Sequence, residues 1–192
     1  MSVLALFSQP WTRRAGLFLF VLFLCGALRL SAQTIISKEY QIKAVCLFNF
    51  AQFVKWPSGA FVNADTPFRI GILGNDPFGT FLDETVRGEK VDGHPLVIER
   101  YKNVEDAKDC QILFISQSEK EKIESILTDL KGRNILTVGD MEGFNKSGGV
   151  IRFFMQENKI HLMVNLKAAK NDRLSISSKV LRLAEIVEPE KE

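Results

Sequence analysis

QILFISQSEKEKIESILTDL, residues 111–130, is the stretch that decides the fold. After Gln111 its first residues, Ile112-Leu113-Phe114-Ile115, are all apolar, the pattern of a strand buried on both faces. Ser118 then stands three residues before Glu121, the spacing of a capping box that opens a helix. Ile123, Ile126, Leu127 and Leu130 follow at three- and four-residue intervals, so 118–130 is predicted to be a helix with one apolar face. A buried strand leading into an amphipathic helix is the repeating step of a parallel α/β sheet.

The same step recurs on both sides. Upstream, FRIGIL (68–73) is a predicted strand followed by a helix at 78–86, and 96–101 is a second strand. Downstream, 134–138 is a strand, and 150–155 with 159–165 form a hairpin around Gln156-Glu157-Asn158. A first helix is expected at 37–55, capped by Ser37 and ended by Trp56-Pro57-Ser58-Gly59. A last one is expected at 177–186, with Val180, Leu181, Ala184 and Val187 inward. A charged tail, 188–192, closes the chain. These elements predict a three-layer α/β sandwich with a mixed, mostly parallel sheet and a late antiparallel hairpin.

Residues 1–32 have the parts of a cleavable signal peptide: Arg13 and Arg14, a charge-free apolar run from Ala15 to Leu28, and a small residue at Ala32. The run is shorter than the roughly 20 residues a membrane span needs. Leu24 before Cys25 argues against a lipid anchor. One domain, 33–192, then remains, located in the periplasm, with no membrane insertion after cleavage. Losing three arginines and no acid leaves 22 basic against 23 acidic side chains, a charge of −1. That balance gives no electrostatic case for nucleic acid or anionic lipid.

Motifs for catalysis are missing from the sequence. His94 lies in a turn and His161 in a strand pattern, neither at metal-ligand spacing from another ligand. Residues 71–79, GILGNDPFG, follow a strand and precede a helix, but lack the G-x-G-x-x-G spacing and the Walker lysine. A proline-opened helix explains them, with a small ligand loop at Gly74, Asn75, Asp76 and Gly79 as the alternative. Ser175, Ser177 and Ser178 suit helix capping. Asp140 and Glu142 suit a helix N-terminus. No cofactor is expected. Cys46 and Cys110, the cysteines outside 1–32, either pair in an oxidising compartment or stay as two buried thiols. The first helix is apolar nearly all round, with Val45, Asn49, Ile42, Phe53, Cys46, Phe50, Val54 and Leu47 on one wide arc and Phe48 opposite. Such a helix wants burial on two sides. Phe48, Phe53 and Trp56 are therefore candidate partner-contact aromatics.

These residues resemble the YfiR-like family of periplasmic proteins. The resemblance runs from Glu39-Tyr40-Gln41-Ile42-Lys43-Ala44 through Phe48-Asn49-Phe50-Ala51-Gln52-Phe53-Val54-Lys55-Trp56-Pro57. It continues in Ile72-Leu73-Gly74-Asn75-Asp76-Pro77-Phe78-Gly79, Leu136-Thr137-Val138-Gly139-Asp140, Val164-Asn165-Leu166-Lys167-Ala168-Ala169 and Ser177-Ser178-Lys179-Val180-Leu181. It implies a regulator, not an enzyme, that binds the periplasmic part of an inner-membrane diguanylate cyclase and holds it inactive, lowering cyclic-di-GMP. A homodimer fits the same picture. A small-molecule sensor is the alternative, and a hydrolase the more distant one. Some members carry a cysteine at the position of Gly71 to pair with that of Cys110, and a second pair near Gly143 to Gly149. This chain has neither arrangement.

Overall fold

In the computed structural model, which describes residues 37–63 and 65–187, Ile112–Ile115 (β5) is completely buried near the centre of an eight-stranded sheet. Alternate side chains of this strand enter two separate cores. Ile112 and Phe114 join one with Ile70, Ile72 and Val138, and Leu113 and Ile115 join the other with Leu73, Leu127 and Leu130. A period of two with both faces apolar is what a doubly covered strand requires.

Around β5 the sheet runs in the order β10-β8-β7-β6-β5-β2-β4-β3. The strands are β2 (Phe68–Leu73), β3 (Lys90–Val91), β4 (His94–Tyr101), β6 (Leu136–Gly139), β7 (Ile151–Gln156), β8 (Lys159–Val164) and β10 (Ala184–Ile186). All pairings are parallel except β7 with β8 and β3 with β4. Helices α1 (Lys38–Phe53) and α2 (Thr80–Val86) bury apolar side chains in the first core, and α3 (Ile123–Leu130) in the second. The three-layer α/β sandwich with a late hairpin is therefore present. A separate two-stranded ribbon joins β1 (Val54–Lys55) to β9 (Ser175–Ile176), and α4 (Leu166–Asn171) and α5 (Ser178–Leu181) are short. The expected signal segment, 1–32, lies outside the described residues.

Several boundaries differ from expectation, each for a tertiary reason. The helix expected at 177–186 is one turn, α5, followed by edge strand β10. Val180 still reaches the core, but β8 would otherwise leave an open edge, and Ala184–Ile186 pairs with it, extended by Val187 N–H to Val164 O at 2.9 Å. The helix expected from 118 begins as a 3₁₀ turn at Gln117–Lys122. Ser118 does not cap it: its hydroxyl accepts the N–H of Asn75, 43 residues away. The first helix stops at Phe53, because Val54 turns extended to pair with Ile176.

Candidate functional site

Helix α1 begins where Ser37 Oγ accepts the N–H of Tyr40 at 3.4 Å. Its inward side is Ala44, Leu47, Phe50 and Ala51, together with one charged residue, Lys43, which is only 3 % exposed. The Lys43 ammonium donates to Asp140 Oδ2 at 2.5 Å and also meets Glu39 at 2.6 Å. Tyr40 Oη donates to the same Oδ2 at 2.9 Å, and Gln117 Nε2 to Oδ1 at 3.0 Å. The ammonium also sits 4.3 Å from the Tyr40 ring centroid. Burial first, and Asp140 beside it second, push the Tyr40 phenol above its ordinary pKa, so it stays a donor.

Asp140 follows β6 and Gln117 follows β5, so the cluster gathers at the C-terminal edge of the parallel strands, where open α/β sheets place binding groups. Here both carboxylate oxygens are already used by the chain itself, and the group acts as an anchor for α1. Asp140 is not the helix cap expected from sequence, since turns, not a helix, follow it. Its partner was signalled only by a lysine lying within an apolar arc.

Pinning Lys43 inward fixes which residues of α1 face out. Ile42 is 46 % and Val45 42 % exposed, with Asn49 exposed beside them. Cys46, Asn49 and Phe53 form one wall of an apolar groove of about 150 Å³, and Leu162, Val180 and Leu183 form the other. Leu183, 75 % exposed, and Ile186, 42 %, continue the apolar surface onto edge strand β10. The Lys179 ammonium lies 4.9 Å over the Phe53 ring at the groove's rim. The aromatic candidates separate on this geometry. Phe53 is half-buried and lines the groove. Phe48 is half-buried against the first core. Trp56 braces the interior, its ring edge on Phe68 at 4.9 Å and its Nε1–H donated to Gln111 O at 3.2 Å.

The loop Gly74 to Gly79 turns its polar groups on the protein itself. Gly74 N–H goes to Tyr101 O and Asn75 N–H to Ser118 Oγ. Asp76 Oδ1 accepts the N–H groups of Phe78 at 2.7 Å and Gly79 at 3.3 Å, and Oδ2 accepts from Arg100 at 2.8 Å. Arg100 also clamps Asp83 and so holds that carboxyl below the usual carboxylate range. The N–H groups that would cradle an anion are thus already satisfied.

Cys46 and Cys110 stand as free thiols, the first half-buried and the second buried. Cys46 packs against the first core and Cys110 is buried in the second, so the sheet lies between them. Burial raises the pKa of both. At Gly71 a Cβ would stand 2.7 Å from the Tyr101 ring, so that ring occupies the space a cysteine side chain would need. His94 stacks on Phe61 at 3.9 Å and His161 lies 5.5 Å from Phe154. Ser177 caps α5 as expected, accepting the Lys179 N–H. Among the described residues, no group of three or more His, Cys, Asp or Glu side chains could hold a metal ion, and no helix is long and apolar enough to cross a membrane.

A family model described as YfiR/HmsC-like matches residues 40–185, and the chain belongs to that family. No curated protein matches it. Among solved structures it is similar to a conserved domain protein of Vibrio cholerae, with 14 % identity and a TM-score of 0.44, over 62 % of this chain and 54 % of that one. An ABC domain from Streptococcus pneumonia in complex with L-Trp has 9 % identity and a TM-score of 0.46, over 62 % and 55 %. The chain spans about half the length of these two structures.

Proposed function

We propose that this YfiR/HmsC-like protein is exported, loses residues 1–32 near Ala32, and works in the periplasm as a regulator that acts by protein contact. Its target is the periplasmic part of an inner-membrane diguanylate cyclase, which it holds inactive. The family supports the class of function. The observation that carries the contact reading is the outward side of α1, where Ile42 and Val45 lie exposed beside the Phe53–Leu183 groove and the apolar end of β10. Exposed apolar surface that is continuous across two elements marks interaction sites. A second copy of the chain could use the same surface, giving the homodimer.

A sensor built on the Gly74 to Gly79 loop has less support, because its donors serve Asp76, Ser118 and Tyr101. The test is cellular cyclic-di-GMP in a deletion strain. Repression by the exported protein predicts a rise on deletion, reversed by the full chain but not by one lacking residues 1–32. An unchanged level removes the cyclase as target.

A further inference from the structure

The C-terminal ends of α3 and α4 line a cleft of about 270 Å³. Asp172, the residue that ends α4, lines it and is 7 % exposed. Its Oδ1 accepts the N–H of Gly132, just past α3, at 2.5 Å. Among the described residues it has no salt-bridge partner. A buried carboxylate without a counter-cation is costly. That bond uses Oδ1 alone, and among the described residues Oδ2 accepts no hydrogen bond.

The surroundings state what would satisfy it. The helix ends themselves are met by the chain, Arg133 Nε donating to Asp129 O at α3 and the N–H groups of Asp172, Arg173 and Leu174 to the last carbonyls of α4, so the free oxygen of Asp172 is the acceptor left in the cleft. Thr137, whose hydroxyl accepts the Val150 N–H, and Ser147 also line the cleft, while Lys131 and Lys167 stand exposed on it. Burial holds the Asp172 carboxyl above its ordinary pKa, with the Gly132 N–H and then Lys131 opposing the rise. A simple cation would be repelled by the two lysines, and a simple anion by Asp172.

We propose that this cleft binds a small soluble zwitterion, its ammonium group on Asp172 and its anionic group on Lys131 and Lys167. This site is separate from the contact surface on α1 and does not depend on the regulator reading.

The test uses the mature protein titrated with β-alanine, phosphoethanolamine and putrescine, read by amide chemical shifts of Gly132 and Ser147 and by melting temperature. Asp172→Asn keeps an oxygen for the Gly132 N–H while removing the charge, so it separates the structural role from the binding role. Expected is saturable binding of at least one of the two zwitterions, weakened tenfold or more in Asp172→Asn and in the Lys131→Gln/Lys167→Gln pair, with putrescine weaker than either. Two results overturn the proposal: no saturable response to β-alanine or phosphoethanolamine in the folded wild type, or undiminished binding by Asp172→Asn with its melting temperature retained.

Discussion

Lys43 brings a full charge into the most apolar side of α1, and one side chain 97 residues away makes that tolerable. Removing one member of a buried pair leaves the other uncompensated, at a cost of about 3–5 kcal/mol. Lys43→Met should therefore lose about that much in urea unfolding, because Asp140 would keep only Tyr40 and Gln117 as donors. Replacing both, Lys43→Met with Asp140→Leu, should recover only part of the loss, since it removes the unpaired charge but leaves the Tyr40 hydroxyl without its acceptor. A single-variant loss below about 1 kcal/mol would mean that the pair does not anchor α1. This anchor was half legible in the sequence. A lysine within an apolar arc demands a partner, but helical spacing offers only Glu39, four residues earlier and 38 % exposed. Asp140 could not be named, because its nearness to Lys43 is created by the order of the strands. The cysteines posed the same problem: two thiols invite pairing until the sheet is seen to separate them.

At the scale of elements, the buried parallel strands were legible and the short edge pieces were not. FRIGIL and ILFI contain apolar runs that only a doubly covered strand accommodates, whereas β10 shares its apolar spacing with a helix and is decided by the open edge of β8. The turn between β6 and β7 was likewise hidden. There Phe144 is fully buried with its ring against both Gly139 and Gly149. A Cβ on Gly149 would stand 2.2–2.6 Å from that ring, and one on Gly139 at 2.7 Å. Gly149→Ala should therefore destabilise by about 1–3 kcal/mol, the range for overpacking a filled core. The comparison variant is Phe144→Leu. In that background the alanine should cost clearly less, so a double-mutant cycle by chemical denaturation should show coupling. Additive losses would place the strain in the backbone of the turn, away from the ring.

For the whole molecule, the sheet settles which surfaces remain available. One core is sealed by α3, the other by α1 and α2, and four of the seven large apolar side chains left exposed among the described residues, Ile42, Val45, Leu183 and Ile186, lie on α1 and at β10. The sequence announced an α1 needing burial on two sides but could not say which residues lay on the second, because Phe48 and Trp56 suit a core as well as an interface. The structure turns both toward the core and leaves Ile42 and Val45 outside. These positions allow a contact effect to be separated from a folding effect. Ile42→Glu with Val45→Glu changes exposed side chains away from any cap or buried bond, so stability should move by no more than about 0.5 kcal/mol for each. If α1 is the docking helix, the same pair should weaken binding to the proposed partner, a cyclase periplasmic domain, at least tenfold, since two charges would be forced into an apolar interface. Phe48→Ala should behave the opposite way, losing on the order of 2 kcal/mol of stability through lost core contact while the folded fraction still binds. Undiminished binding by a well-folded Ile42→Glu/Val45→Glu protein would move the interface off α1, leaving the exposed Leu183 and Ile186 at the β10 edge as the next surface to change.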